Sequence, residues 1–140
     1  MDESSQARDA ARLLIERHEG YSQFPVPDAH NTVEVGYGLN LTRRGLLKPE
    51  ADWLVIQEVN RLHGWLTSFP FFEGLSVNRQ VALIDMAYNL GEGGFEAFGH
   101  MLSALSRGDF IVAADAMLNS KWAQEVYTRA HDDADLMRKG

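Results

Sequence analysis

The sequence predicts an α+β fold that is mostly helical, with a small antiparallel β-sheet lobe near the N-terminus and a helical C-terminal lobe. Three observations carry this prediction. Residues 4–19 place apolar side chains at helical spacing and are followed by a glycine. Residues 21–42 change to alternating apolar and polar residues around turn-forming Pro, Asp and Asn. From Pro49 onwards the helical period returns, and one segregated sheet among helices defines the α+β class.

The helical part of the sequence divides at its glycines and capping residues. An apolar stripe from residue 49 to about residue 68 predicts one long helix. Gly91 and Gly108 follow two further helical segments, and Asp109 is a suitable cap for another. The shorter predicted helices cover residues 77–90, 95–106, 109–119 and 121–138.

The length of 140 residues suits a single domain. We expect one domain over residues 1–140, in which residues 20–48 form the sheet lobe. Residues 49–68 are expected to form a long connecting helix. The helical lobe is expected to contain residues 69–140 together with the N-terminal helix.

Composition and charge exclude several classes of function. The net charge of −7 and a pI near 5.1 disfavour nucleic acid as a partner. No apolar run approaches the roughly 20 residues that cross a bilayer, so membrane insertion is not expected. The acidic, polar N-terminus does not resemble a secretory signal, which predicts cytoplasmic synthesis. No metal-ligand spacing occurs among the five histidines, so we expect neither metal nor cofactor, and we expect a monomer.

Three acidic residues lie where the first predicted helix meets the sheet: Glu19, Asp28 and Glu34. A pair of carboxyl groups, one protonated and one ionised, is the apparatus of glycoside hydrolysis. A helix C-terminus and apolar neighbours would raise the pKa of Glu19 and suit it to be the acid, whereas Asp28 in an open turn should stay ionised. Spacing alone also permits the simpler interpretation that these are solvated surface acids.

The chain resembles the phage-type lysozymes, or endolysins, of glycoside hydrolase family 24. The segment "LLIERHEG…D…GYGLNLT" resembles their opening motif, which is a Glu, eight residues, an Asp or Cys, five residues and a Thr. Glu19 and Asp28 fall on the first two positions, and Gly36 and Gly38 match the paired glycines that follow. The resemblance continues through "RQVALIDMAYNLGEGGFEAF" and "AADAMLNSKWAQEVYTRAHDDADLMR", so it covers nearly the whole chain from Leu13.

By this resemblance the protein is expected to be a muramidase with a lysozyme-like fold. It would hydrolyse the β-1,4 bond between N-acetylmuramic acid and N-acetylglucosamine in bacterial cell-wall peptidoglycan, and so lyse the wall after release from the cytoplasm. The resemblance makes Glu19 the general acid, Asp28 a stabiliser of charge or water, and Arg129 the residue that orients the acid. The positions that it implies for substrate binding are Tyr88, Asn89, Gly38 and Leu39.

The sequence departs from the family motif at two positions. Glu34 stands where the family has Thr, which helps to hold the attacking water, and Leu39 replaces a polar residue. Glu34 could be the base of an inverting reaction, which is the outcome expected for the family, or a nucleophile giving retention or transglycosylation. Alternatively it could obstruct the site and leave a catalytically impaired peptidoglycan- or chitin-binding module.

Overall fold

The computed structural model describes residues 2–140 and confirms the α+β fold class. Across these residues it contains seven helices and one three-stranded antiparallel sheet of strand order β1-β2-β3. In chain order the elements are α1 (Glu3–Glu19), β1 (Ser22–Pro27), β2 (Val33–Gly36), β3 (Leu39–Asn40), α2 (Lys48–Leu66), α3 (Val77–Glu96), α4 (Gly99–Ser106), α5 (Phe110–Leu118), α6 (Lys121–Glu125) and α7 (Tyr127–Lys139).

The chain forms two compact units, one reaching to Asp52 and the other covering Trp53–Gly140. In the first unit, α1 ends where the sequence predicts. Gly20 has a φ of 69°, which a glycine adopts without steric cost, and its N–H donates to the Glu16 carbonyl oxygen at 3.0 Å. Glu19 is therefore the last residue of the helix, immediately before the chain enters the sheet.

The sheet of the first unit is short, and its register places Glu34 in the central strand. Glu34 pairs with Val26 of β1 on one side and with Asn40 of β3 on the other. Val35 pairs with Leu39, so the two residues following Gly36 form the tight turn between β2 and β3. This pairing confirms the hairpin that alternation and turn residues predict for residues 21–42.

The second unit contains the hydrophobic core. Helices α3 and α5 pack against α7, and α4 packs against α5. Its largest fully buried side chains are Phe72, Phe95, Leu62, Leu66, Leu83, Met86, Met101, Met117 and Met137. Within residues 2–140, none of the helices combines the length and the apolar character needed to cross a membrane.

The helix boundaries of the second unit differ from the prediction in two places. Gly91 interrupts α3 with a φ of 77°, but helical conformation resumes directly and continues to Glu96. The next helix therefore begins at Gly99 rather than at Phe95, whose ring is fully buried. The predicted C-terminal helix is divided at Val126, whose φ of −126° and ψ of 58° are not helical.

Candidate active site

The carboxyl group of Glu19 lies against the backbone of the β2–β3 turn at Gly38. A Cβ atom added to Gly38 would stand 2.7 Å from Glu19 Cδ, closer than real side chains approach each other. Gly38 also has a φ of 72°, in the left-handed region that favours glycine. The positive φ favours glycine here, and a larger residue would also have to displace the Glu19 carboxyl.

Glu19 and Glu34 line the same pocket of the first unit, which has a volume of about 170 Å³. The Glu19 side chain is exposed at the end of α1, whereas Glu34 is half-buried in β2. The pocket is lined by Glu19, Gly20, Tyr21, Ser22, Val26, Glu34, Val35, Gly36 and Gly38. The fold thus brings together two of the three acids, and it does so through a helix end and a central strand.

Asp28 holds the turn between β1 and β2. Its Oδ1 accepts hydrogen bonds from the backbone N–H groups of His30 at 2.8 Å and Thr32 at 3.0 Å, and its Oδ2 accepts one from the Thr32 hydroxyl at 2.5 Å. These bonds, led by that of the Thr32 hydroxyl, lower the pKa of Asp28 to about 2. Asp28 is not among the residues that line the pocket of Glu19 and Glu34.

Thr32 and Asn40 extend this arrangement to β3. The Asn40 amide donates to Thr32 Oγ1 at 2.8 Å and to Asp28 Oδ2 at 3.3 Å, and Thr32 is 9% exposed. Neither residue was predicted from the sequence, although Asp28 with polar residues two and four positions later is typical of an Asx turn. Asn40 could not be found in this way because it reaches Asp28 across strands.

Tyr21 lines the pocket, whereas Tyr37 and Leu39 flank Gly38 in the chain without lining the pocket themselves. The rings of Tyr21 and Tyr37 lie 5.7 Å apart between centroids, and both side chains are exposed. Leu39 is half-buried at its position opposite Val35 in β3. The aromatic pair was not predicted from the sequence.

The second unit holds Arg129 in a two-point ion pair with Asp85. Arg129 Nε donates to Asp85 Oδ2 at 2.9 Å and Arg129 Nη2 donates to Asp85 Oδ1 at 2.8 Å. This bidentate pairing lowers the pKa of the Asp85 carboxyl and raises the pKa of the Arg129 guanidinium. The sequence alone does not indicate Asp85, because its pairing with Arg129 joins α3 to α7.

Tyr88 and Asn89 lie in the same unit but have different surroundings. Tyr88 is 46% exposed and lines an apolar groove of about 340 Å³ whose polar side chains are Asp85, Tyr88 and Arg129. Asn89 Oδ1 accepts a hydrogen bond of 2.7 Å from the indole N–H of Trp122, whose side chain is buried. Asn89 therefore has a structural task in addition to any role in binding.

A small sheet beside helices, with two carboxyl groups in one pocket, is the kind of arrangement that glycoside hydrolases use. Residues 16–131 match the phage lysozyme family, and this range contains each of the predicted site residues. The chain belongs to the phage lysozyme family. A stretch of 61 residues, 44% of this chain, is 38% identical to the pre-baseplate central spike protein Gp5 of Enterobacteria phage T4. That stretch corresponds to only 11% of the length of the spike protein.

Proposed function

We propose that the protein is a muramidase that hydrolyses the β-1,4 bond between N-acetylmuramic acid and N-acetylglucosamine in bacterial peptidoglycan. Family membership supports the class of reaction. The observation that carries the proposal is the shared pocket of Glu19 and Glu34, closed at one side by the Gly38 turn. An enzyme of this kind would lyse the bacterial cell wall after reaching the peptidoglycan.

In the proposed mechanism Glu19 is the general acid that protonates the departing glycosidic oxygen. Its support is its position at the last residue of α1, with the carboxyl group against the turn backbone. A general acid must be held within hydrogen-bond reach of the leaving oxygen, and such positioning is what a rigid turn supplies.

We assign the second carboxyl of the reaction to Glu34, as the base that activates water in an inverting displacement. Glu34 lines the pocket of the acid, whereas both oxygens of Asp28 already accept hydrogen bonds that hold the turn. Asp28 then contributes a fixed negative charge near an oxocarbenium-like centre and keeps the turn in shape. A nucleophilic Glu34 is the alternative, and it would give retention instead of inversion.

Tyr88, Asn89 and Arg129 are proposed to serve as sugar-binding and orienting residues, as the family resemblance implies. Asn89 accepts from Trp122 through its oxygen, which leaves its amide N–H groups to donate to an N-acetyl carbonyl. Tyr88 offers an exposed aromatic face. The role of Arg129 in orienting the acid stays a prediction.

The proposal is tested by clearing of bacterial cell-wall suspensions with wild type and Glu19→Gln. Loss of a general acid is expected to reduce the rate by about 10²- to 10⁴-fold. Glu16→Gln is a matched control, since Glu16 lies about one turn earlier in α1 in an exposed pair with Arg12. Equal clearing by wild type and Glu19→Gln would refute the assignment of the acid.

A second candidate function is wall binding without hydrolysis. Two observations favour it: a carboxylate stands where the family has Thr, and the exposed Tyr21 and Tyr37 rings pair beside the pocket. Retention of the protein on insoluble peptidoglycan or chitin without release of reducing sugar would support it. Release of reducing sugar at a rate that depends on Glu19 would exclude it.

A further inference from the structure

Asp133 in α7 is a buried carboxyl group that the proposed mechanism does not use. It is 2% exposed, and its Oδ2 accepts no hydrogen bond from any residue between positions 2 and 140. An ionised carboxylate in such a position loses its hydration without compensation, which strongly favours the neutral acid. Burial has the largest effect on the pKa of Asp133 and neighbouring Asp85 the next largest, and they raise this pKa to about 8.

Asp85 of α3 is the acidic neighbour of Asp133, and its negative charge adds to burial in favouring the neutral form of Asp133. Asp133 follows Arg129 by four residues in α7, so both side chains project from the same face of the helix towards α3. Asp85 stays ionised because Arg129 binds both of its oxygens. Two adjacent carboxyl groups can hydrogen-bond to each other only when one of them carries a proton, and burial assigns that proton to Asp133.

We propose that Asp133 is a positioning residue which, as a neutral acid, donates a hydrogen bond to Asp85 and thereby fixes the carboxylate that holds the Arg129 guanidinium. Loss of the proton removes this donor and places a second negative charge beside Asp85. The Asp85 carboxylate, which holds Arg129, then lacks the hydrogen bond from Asp133 that fixes its orientation. The structural part of this inference is independent of the proposed function, and only its effect on wall clearing depends on it.

The charges that act on Asp133 come from α3 and from α7 itself. Asp85 and the exposed Asp132 favour the neutral acid, and Arg129 opposes them, although its guanidinium is already engaged by Asp85. At the other end of α7, Arg79 of α3 donates to the Met137 carbonyl oxygen at 2.8 Å.

The charged side chains of the other helices packed against α7 are paired with other groups. Asp115 of α5 accepts a hydrogen bond from Arg138 at 2.6 Å. Lys121 and Glu125 of α6 lie 3.7 Å apart as an exposed ion pair. Neither pair contains a cation directed at Asp133 that could stabilise its ionised form.

Whether the Asp133 carboxyl carries a proton is measured by carbon-13 NMR of the aspartate carboxyl groups between pH 4 and pH 10. One aspartate is expected to titrate near pH 8, and its signal should be absent from Asp133→Asn but present in Asp132→Asn. Asp132 is the matched control because it is the adjacent, exposed aspartate. An Asp133 signal that titrates below pH 5 would overturn the inference, and this measurement on wild type requires no variant to fold.

The effect on Arg129 is measured by the exchange protection of its Nε–H proton and by wall clearing. For a pKa of about 8 the neutral fraction of Asp133 falls about tenfold between pH 7 and pH 9. Wild type should lose protection and activity over this range. Asp133→Asn keeps a neutral donor at every pH, so it should keep its protection and lose less activity than wild type over this range. Asp133→Leu should show low, pH-independent protection.

The possible failures can be told apart. If Asp133 titrates near pH 8 but wild type and Asp133→Asn share one pH profile for Nε–H protection, the positioning role is wrong. If protection follows the proton of Asp133 while Glu19→Gln still clears walls, the inference stands and the proposed function fails.

Discussion

The backbone of Gly38 lies so close to the Glu19 carboxyl that a Cβ atom on Gly38 would stand 2.7 Å from Glu19 Cδ. The backbone of a turn nineteen residues later thus lies directly against the carboxyl of the proposed acid. The turn backbone limits the region that the carboxyl can occupy, and limiting motion is a large part of how a reacting group is made effective.

Gly38→Ala tests this relationship. The added carbon must displace the Glu19 carboxyl, and a misplacement of about 1 Å is expected to reduce wall clearing by about 10²-fold. Gly36→Ala is the matched control, because Gly36 has a similar φ of 67° but no atom within 4 Å of an added Cβ. Both variants should lose about 1 kcal/mol of stability from backbone strain, so equal activities after correction for folded protein would contradict the prediction.

Glu34→Gln tests the second carboxyl. Removal of the base is expected to lower the rate of wall clearing by at least about 10²-fold, with thermal stability little changed. Proton NMR of the first-formed product from wild type should show the α-anomer, as inversion at a β-linkage requires. A β-anomer would make Glu34 a nucleophile, and Glu34→Thr would then be expected to change the stereochemical outcome.

Asp28→Asn tests the turn between β1 and β2. The folded-state pKa of about 2 lies below the ordinary value of an aspartate, so ionised Asp28 stabilises the folded turn at neutral pH. This contribution is fully present above about pH 4 and is lost as the pH falls towards 2. Hydrogen exchange of the His30 and Thr32 amides should accelerate over that range in wild type. Asp28→Asn should show faster exchange already at neutral pH, whereas Asp9→Asn on the exposed face of α1 should behave as wild type.

Substitution of Asn89 separates its structural task from sugar binding. Asn89→Ala leaves the buried indole N–H of Trp122 without its acceptor, which is expected to cost about 1–3 kcal/mol of unfolding free energy. Asn89→Asp keeps an oxygen for the indole but removes the amide donors. It should retain most of the stability in urea unfolding while binding peptidoglycan more weakly. Wild-type binding by Asn89→Asp would remove Asn89 from the substrate-binding residues.

The sequence predicts the order of elements well because each has a local signal. Helical spacing before Gly20 predicts the position of Glu19 at a helix end, and alternation in residues 21–42 predicts a sheet that contains Glu34. Together these signals suffice to bring both acids near one another. The division at Val126 was not predicted, because no glycine or proline marks it and the apolar period continues through it.

Apart from Thr32, the parts of the site that escaped prediction depend on contacts between residues distant in the sequence. Asn40 joins Asp28 across strands, and Asp85 joins Arg129 across helices. Nothing in the segment "HDDAD" distinguishes Asp133 from exposed Asp132, and only packing of α7 against α3 does so. Burial of an acid has no reliable local signature, since neighbouring residues in a helix face different environments.

The turn held by Asp28, Thr32 and Asn40 also offers a site for attaching a fluorescent label. Its hydrogen bonds join residues on either side of Ala29, which is exposed. The chain contains no cysteine, so Ala29→Cys would create a unique attachment point for a fluorophore. A dye attached there would sit on a short segment whose geometry is set by its flanking residues. A change in its emission would report the binding of wall fragments.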